Sequence, residues 1–515
     1  MRLSALVPAL ALAVAPLAIS APAAHAVGPG GWERLGSQIQ FGNPASSLNG
    51  DVMAMNTHIP GVLLAGGKFT NAGGIAGANR VALWNGAAWS AVGPPSSFNG
   101  DVLALAVSGG KIYAGGSFTN AGGDADADFL AVYDGTTWKH ACTGGLAPIT
   151  GNVHALQVVG GDLYVGGAFA GVAGLPHTGS LFRCNLGTGV PSSTTVDPAH
   201  DFNGVVYALT ADSGGNLYAG GGFSDLENNP ASDKIASLPI AGVWTNLGSG
   251  AGACGCAVDD FVRSLATDNT NLYVGADSVN IAGIAQADHV ARWDGSAWHA
   301  VGANAAGTDG YLPVSTSIDA LFTSGSHVYV SGNWTNLGGD PTADFLADFG
   351  GTSWQPVGTD GAGNGSLTAK GESIAMYGGV LHVGGNFTKA GGDNLASFVA
   401  RFVGIPPPPP SNAITLGKPK PNANGTATLS VTVPGAGVLT LQGKGVKSLR
   451  QAGLRLSRPV TGAGTVKLKV KAKGKTLKKL RARGKVTVKV TVTFTPTGGT
   501  ARSETKKVKL VLRHG

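Results

Sequence analysis

A short segment built around a glycine pair recurs seven times along the 515-residue chain. The clearest copies are LLAGGKFTNAGG from Leu63, IYAGGSFTNAGG from Ile112 and LYVGGAFAGVAG from Leu163. The second position of the first pair falls at residues 67, 116, 167, 221, 276, 332 and 385, with alanine in place of glycine at 276 and serine in the first position at 331. A regular spacing of about 50 residues is typical of a repeat architecture, in which each repeat forms one structural unit.

Each repeat contains four strand-like pieces bounded by Gly, Asn or Asp. In the second repeat they begin at Val102 (VLALAV), Ile112 (IYAGGSF), Phe129 (FLAVYDG) and Trp138. Short apolar or alternating pieces between turn residues predict antiparallel strands. Four-stranded units repeated seven times around an axis predict an all-β fold, a seven-bladed β-propeller spanning residues 27–404.

The two ends of this region complement each other. The seventh repeat stops at Phe402 without the W-x-x-V-G piece that ends other repeats, whereas Trp32 to Gly36 supply such a piece before the first repeat. We therefore expect the N-terminal strand to close the last blade, which would leave no open sheet edge.

The diglycine after the second strand and the tryptophan that opens the fourth strand resemble those of kelch-like propellers, over residues 31–404. The chain departs from that pattern in its G-G-x-F-x-x-A-G-G segments and at Cys184-Asn185-Leu186, where most repeats have Asp-Gly. The resemblance implies the fold of secreted bacterial surface proteins. Galactose oxidase shares this architecture, but the chain lacks a recognisable cluster of copper ligands, and no catalytic residue is predicted.

The chain ends differ from the repeats. Residues 1–26 combine Arg2, an apolar run and an Ala24-His25-Ala26 ending, which predicts a cleaved secretory signal peptide and hence a secreted protein, with cell-surface association possible through the tail. Residues 405–411 form a proline-rich linker. Residues 411–515 contain 16 Lys and 7 Arg with Glu504 as the sole acid. Their alternating valines and lysines predict a small Ig-like β-sandwich over residues 412–515.

The basic tail predicts an anionic partner. Five lysines at alternate positions are expected to form one positive face: Lys467, Lys469, Lys471, Lys473 and Lys475. We expect this face to attach to an anionic polymer or lipid of the cell envelope. Phe494 is its one aromatic residue, so specific recognition of nucleic acid is not expected.

Four cysteines in an exported chain are compatible with two disulfides, for which three pairings exist. One arrangement joins Cys142 to Cys184 and Cys254 to Cys256, and unpaired buried thiols are the alternative. No zinc-ligand spacing surrounds Cys254 and Cys256.

The loops between repeats vary in length, which is typical of a binding face. Three of these loops, at Val190–Asn203, Gly248–Asp260 and Ala303–Ser317, carry a predicted ligand-binding set for a protein or glycan: Asp197, His200, Asp201, Asp259, Asp260, Asp309 and Tyr311. The run from Asp124 to Asp128 suggests weak calcium binding, although turn chemistry accounts for it better. No other metal or cofactor is predicted.

Two function classes remain. The first is an exported, monomeric, non-catalytic protein that binds a ligand through its propeller loops. The second is an extracellular glycan-acting or galactose-oxidase-like enzyme. The first is preferred because the sequence contains no recognisable nucleophile and base or paired carboxylates.

Overall fold

The computed structural model describes residues 31–513 except for 37–47, 76, 143–148, 173–174, 176–178, 196–200, 225, 241, 249–254, 304–306, 313–315, 352, 405–412, 436, 448–449, 452–453, 456, 461–463 and 497–500. The predicted signal peptide and proline-rich linker lie outside the described residues. The chain divides into two compact units, Met1–Ile405 and Pro406–Gly515. The one α-helix in the described residues is too short to cross a membrane.

The first unit is built almost entirely from short strands. In chain order they are β1 Trp32–Arg34, β2 Val52–Asn56, β3 Leu63–Gly67, β4 Val81–Trp84, β5 Trp89–Ala91, β6 Val102–Ser108, β7 Lys111–Gly116, β8 Leu130–Tyr133, β9 Trp138–His140, β10 Asn152–Val159, β11 Asp162–Ala168, β12 Leu181–Asn185, β13 Pro191–Ser192, β14 Val206–Ala211, β15 Leu217–Gly221, β16 Ile235–Leu238, β17 Val262–Thr267, β18 Leu272–Ala276, β19 Val290–Trp293, β20 Trp298–Ala300, β21 Ile318–Ser324, β22 His327–Gly332, β23 Leu346–Phe349, β24 Trp354–Pro356, β25 Gly371–Tyr377, β26 Val380–Gly385 and β27 Val399–Phe402. Five 3₁₀ turns lie between them, at Ala121–Gly123, Leu226–Asn228, Pro230–Ser232, Ile281–Gly283 and Leu337–Gly339.

In the described part of this unit the strands form seven antiparallel sheets, one for each sequence repeat. Sheets 1, 2 and 3 are β2–β5, β6–β9 and β10–β13, sheet 4 is β14–β16, sheets 5 and 6 are β17–β20 and β21–β24, and sheet 7 is β25–β27 with β1. Sheet 4 has three strands instead of the expected four, because its last piece makes only an isolated bridge from Thr245 to Ser237. The first strands of successive sheets contact one another in order, and β25 contacts β2, which closes the cycle. This all-β arrangement is consistent with a propeller.

The strand β1 joins the two ends of the cycle. Trp32 pairs with Phe402 and Glu33 pairs with Arg401, so β1 is the outer strand of the last sheet. The Arg401 guanidinium donates to Glu33 Oε2 at 2.6 Å. The N-terminal piece therefore supplies the strand that the seventh repeat lacks.

Recurring tryptophans fasten five of the seven sheets to the preceding sheet. Trp32 Nε1 in sheet 7 donates to the Val357 carbonyl at 3.0 Å, and Trp89 Nε1 in sheet 1 donates to the Leu35 carbonyl at 3.1 Å. Trp138, Trp298 and Trp354 donate in the same way to Val92, Leu247 and Val301. Each acceptor is the apolar residue of the W-x-x-V-G piece, which explains the recurrence of that motif.

The second unit consists mainly of two sheets around one core. Its elements are β28 Thr415–Leu416, β29 Lys420–Pro421, β30 Thr426–Val433, β31 Gly437–Gln442, β32 Arg450–Gln451, β33 Leu454–Arg455, β34 Ser457–Val460, β35 Gly464–Lys471, α1 Gly474–Arg483, β36 Lys485–Pro496 and β37 Arg502–Val511. One sheet contains β28, β29, β30 and β35, and the other has the order β34-β31-β36-β37. Buried side chains of both sheets share one core with Leu480 of α1.

The helix α1 differs from the expectation of strands alone. The alternation of lysines ends at Lys471, since Lys473 precedes the helix and Lys475 lies in its first turn. The five lysines predicted to share one strand face therefore belong to two different elements. The helix begins at Gly474, ends before Gly484 and buries Leu480. The spacing of the lysines alone does not distinguish this helix from a strand.

Candidate functional site

The first strand of every sheet in the first unit carries a β-bulge at the same repeat position. The pairing register skips one residue in each strand, for example between Val52 and Ala54. The skipped residues are Met53, Leu103, His154, Tyr207, Arg263, Asp319 and Glu372. A bulge leaves its residue unpaired and redirects its side chain. We call these seven residues the axial ring, because the strands that carry them form the closed inner cycle.

Partial exposure distinguishes the axial ring from its neighbours. All seven residues are partly exposed, whereas the preceding apolar position is buried in each sheet, as at Val52 and Val262.

The glycine pair makes room for this bulge. A Cβ at Gly67 would lie 2.0 Å from the Asp51 carbonyl oxygen, and one at Gly116 would lie 1.9 Å from that of Asp101. In six sheets a glycine thus allows this close backbone approach, and sheet 5 forms the same bulge with Ala276 at that position.

One side of the axial ring is aromatic. The rings of His154 and Tyr207 have centroids 5.5 Å apart, and burial lowers the pKa of His154. The Arg263 guanidinium lies 5.9 Å from the ring centroids of both Tyr207 and Phe261. Phe261 is 40% exposed, which is unusual for a large apolar side chain. This side therefore offers an exposed aromatic surface next to a cation.

The other side is charged. Arg263 Nε donates to Asp277 Oδ1 at 2.7 Å, and this hydrogen bond raises the pKa of the guanidinium. Lys370 Nζ lies 3.1 Å from Asp319 Oδ1 and 3.6 Å from Glu372 Oε1. Burial raises the pKa of Glu372, an effect that the charge of Lys370 opposes. Acidic and basic side chains therefore lie within ion-pair distance of one another here.

Sheet 7 and the residue that follows β26 hold four buried polar atoms without a hydrogen-bond partner in the described residues. One is His382 Nε2 on β26, and the three others are Glu372 Oε2, Ser373 Oγ and Asn386 Oδ1. The Asn386 N–H donates to the Lys370 carbonyl at 3.3 Å, which places it beside the charged side of the ring. Buried polar atoms are normally hydrogen-bonded, so these three offer capacity for groups supplied by a ligand.

The long loops lead into first strands that carry the axial ring, but the loop residues predicted from sequence are occupied locally. Asp201 accepts the N–H groups of Gly179 and Phe202 at 3.0 and 2.8 Å. The Asp260 carboxylate accepts the N–H of Phe261 at 2.8 Å, and the Asp309 carboxylate accepts that of Gly310 at 3.1 Å.

The other members of the predicted set either contact residues outside the axial ring, are exposed, or lie outside the described residues. Tyr311 stacks on Trp354, with ring centroids 6.3 Å apart. Asp259 is exposed, and Asp197 and His200 lie outside the described residues. The structure does not bring the described members together as one site.

The run from Asp124 to Asp128 is used in turns. Asp128 Oδ1 accepts the Asn120 N–H at 2.7 Å, and Asp288 and Asp344 accept in the same way from the N–H groups of Asn280 and Asn336. Asp124 and Asp126 do lie near His140, with potential ligand atoms within 4.8 Å of one another. Asp124 Oδ2, however, already accepts from His140 Nδ1 at 2.8 Å and from its N–H at 3.0 Å. These hydrogen bonds account for the cluster without an ion.

Cysteine pairing links sheets 2 and 3. Cys142 and Cys184 form a disulfide across 42 residues of sequence. Cys256 is also disulfide-bonded, and Cys254 lies outside the described residues. No free cysteine occurs in the part of the chain that the structure describes.

Sequence reasoning missed the axial ring although a signal existed. The second position of the recurring V-x-A-L piece holds a different residue in every repeat, from Met53 to Glu372, while its neighbours recur. A variable position inside an otherwise regular strand indicates that packing does not constrain the residue type there.

Comparisons with known proteins identify no family. No protein-family model and no curated protein matches the chain. Similar solved structures include the extracellular domain of a hybrid two-component system from B. thetaiotaomicron, with a TM-score of 0.44 and 10% identity over 94% of this chain and 58% of that one. Another is the extracellular domain of a one-component system from the same organism, with a TM-score of 0.43 and 12% identity over 80% of this chain and 46% of that one.

A calcium-binding protein, regucalcin from Agrobacterium tumefaciens, is also similar, with a TM-score of 0.28 and 14% identity over 56% of this chain and 85% of that one. The chain spans about half the length of the two extracellular domains. Likenesses this distant identify neither a ligand nor an activity.

Proposed function

We propose that the first unit is a seven-bladed, kelch-like β-propeller and that the chain is an exported, non-catalytic binding protein. Its axial ring is the ligand site, and its ligand is a carbohydrate. The basic tail attaches the protein to an anionic polymer of the cell envelope.

The unpartnered atoms of Glu372, Ser373 and Asn386 carry the ligand assignment. A sugar presents several hydroxyl groups in a small volume, and each can donate a hydrogen bond to Glu372 Oε2, Ser373 Oγ or Asn386 Oδ1. The exposed face of Phe261 suits the apolar face of a sugar ring. An apolar surface opposite a few convergent polar groups is the usual composition of a small-molecule site.

The tail assignment follows from charge. Of the ionisable residues in 411–515, 23 are basic and one is acidic. Glu504 lies 3.4 Å from Arg502, so it is already paired. A surface of this composition attracts polyanions, and the attraction weakens as salt rises.

A glycan array probed with the full chain tests the axial site. The double variant Phe261→Ala, Arg263→Gln should lose the array signal. A matched control, Ile240→Ala with Arg292→Gln, removes an exposed apolar side chain and an arginine elsewhere in the first unit and should retain it. Equal signals from both double variants would reject the axial ring as the site.

Envelope fragments test the tail. The full chain should bind them in low salt and elute in high salt, whereas a chain ending at Ile405 should not bind. Equal retention of the shortened chain, or retention that salt does not change, would reject tail attachment.

One observation favours a glycan-acting enzyme as the second candidate. Asp319 and Glu372 share Lys370, and burial raises the pKa of Glu372, as is needed for a carboxyl that donates a proton near neutral pH. Release of chromophore from aryl glycosides, abolished by Glu372→Gln, would establish that activity. A galactose-oxidase-like site is not supported, since every described cysteine is in a disulfide and cannot join a tyrosine.

A further inference from the structure

The second unit contains a cavity of about 400 Å³ whose rim is cationic. Its polar lining consists of Asn424, Thr426, Lys447, Lys469, Lys471 and Arg481. No carboxylate lines it among the described residues. We infer that this basic cavity binds phosphate groups of a phosphodiester polymer, so that the tail recognises its partner at a defined site instead of through overall charge. The inference rests on the proposed attachment of the tail to an anionic envelope polymer.

Main-chain hydrogen bonds fix the backbone of three of the four cationic residues. Lys469 and Lys471 pair with Thr428 and Thr426 across the β30–β35 ladder. The Lys447 N–H donates to the Lys471 carbonyl at 2.8 Å, which ties the loop to the strand end. The three ammonium groups therefore extend from a common hydrogen-bonded backbone. Such preorganisation lowers the cost of binding.

The fourth cation is positioned by the helix. Leu480 is 1% exposed and anchors α1 in the core, and Arg481 follows it. Lys469 is exposed between the buried residues Leu468 and Val470, so it projects away from the core. One rigid strand and one anchored helix thus bring their cations to the same cavity.

Four positive charges in one lining repel one another when the cavity is empty, and a multivalent anion relieves this repulsion. The guanidinium fork of Arg481 and the point charges of three lysines match a tetrahedral anion with several oxygens. The cavity is larger than one phosphate, so it has room for the units on either side of a phosphodiester.

A polymer fits this unit better than a membrane surface does. The one large apolar side chain that is exposed among its described residues is Val438, on β31 of the opposite sheet. Insertion into lipid needs apolar contact area in addition to positive charge. We therefore assign the cavity to a soluble or wall-bound phosphodiester chain.

The test measures binding of the full chain to inorganic pyrophosphate and to poly(glycerol phosphate) by calorimetry in about 150 mM salt. The site variant carries Lys469→Gln, Lys471→Gln and Arg481→Gln. The control variant carries Lys489→Gln, Lys507→Gln and Lys509→Gln, which removes the same charge from exposed lysines of the other sheet. The site variant should lose about tenfold or more in affinity for both probes, and the control should change by less than about twofold.

A substitution that preserves charge distinguishes binding in the basic cavity from attraction by the overall charge of the second unit. Arg481→Lys keeps the net charge and removes the fork, so it should weaken binding several-fold if the cavity is the site. Circular dichroism should show that all three variants remain folded.

Three results would overturn the inference while leaving tail attachment intact. The first is equal loss in the site and control variants, and the second is an unchanged affinity in Arg481→Lys. Tighter binding to phosphatidylglycerol vesicles than to the polymer would also overturn it, by identifying a lipid occupant. Failure of the full chain to bind either probe or envelope fragments at any salt concentration would instead reject the attachment itself.

Discussion

Ser331 Oγ accepts a hydrogen bond from the backbone N–H of Gly371 at 2.8 Å, across the boundary between sheets 6 and 7. At the equivalent boundaries a glycine of one sheet meets a branched side chain of the next, as Gly66 meets Val102 and Gly384 meets Val52. At this one boundary Ser331 stands where the other sheets have glycine, and Gly371 stands where they have valine or isoleucine. The inner cycle thus keeps its packing although the residues differ.

This exchange predicts coupled effects on stability. Gly371→Val places a Cβ 2.8 Å from Ser331 Oγ and should lower the free energy of unfolding by about 1–3 kcal/mol. Adding Ser331→Gly should restore most of the loss. The Cβ at position 371 would also lie 2.6 Å from Val383 Cγ1. In sheet 3 the equivalent residues, Val165 and Val153, are both buried in one core, so valine fits at both of these positions. Denaturant unfolding of both single variants and the double variant measures the coupling, and strictly additive effects would contradict it.

Trp32 is predicted to hold the cycle closed. It is fully buried, and Trp32→Ala should cost about 3–5 kcal/mol and expose the edge of β27. Trp32→Phe keeps most of the packing but loses the bond to Val357, so it should cost about 1 kcal/mol. Thermal unfolding and size-exclusion chromatography measure stability and association. A Trp32→Ala protein that melts like the parent and stays monomeric would show that closure does not depend on this strand.

The Cys142–Cys184 disulfide should stabilise the link between sheets 2 and 3. Replacing both cysteines by alanine should lower the free energy of unfolding by about 2–4 kcal/mol, because the bond closes a loop of 42 residues. Unfolding in denaturant with and without reductant measures the loss. Reductant should destabilise the parent and leave the alanine variant nearly unchanged at this site, and an equal response of both would contradict the assignment.

His382 should make stability depend on pH. Burial lowers its pKa to about 4, whereas an unfolded histidine has a pKa of about 6.5. Between these values the unfolded chain takes up a proton that folded His382 does not, so stability is complete above about pH 6.5 and falls toward pH 4. The loss should reach about 3 kcal/mol and be absent in His382→Gln.

Exposed His58 supplies the control for that experiment. His58→Gln should retain the pH profile of the parent in denaturant unfolding between about pH 4 and 7. A His382→Gln profile that coincides with the parent profile would show that another group titrates.

The sequence predicted most of the fold because its signals were local and repeated. Trp32 shares a motif with Trp89 and Trp138, so its place in sheet 7 followed from counting strands. The helix α1 was missed because its lysines continue the spacing of β35, and only the burial of Leu480 distinguishes the two elements. Repetition makes strands predictable, and a single short helix has no second copy to compare.

The candidate site was predicted less well. Asp201 and Asp260 lie in variable loops, but whether a loop carboxylate turns toward a ligand or toward its own backbone depends on turn geometry that the sequence does not reveal. Arg263 and Glu372 were overlooked because a search for repeats discards the positions that vary. These residues belong to one ring only because the cycle of sheets closes. That closure depends on the pairing of β1 with β27, whose residues are hundreds of positions apart in the sequence.

The bulge has an evolutionary consequence. Since Tyr207 or Asp319 pairs with no residue across its ladder, an exchange at either position leaves the neighbouring hydrogen bonds in place. Seven codons, spread over seven repeats, can therefore mutate one at a time while the scaffold stays folded. Duplication of such a gene would produce paralogues with new preferences by very few steps, and selection could act on recognition almost independently of foldability.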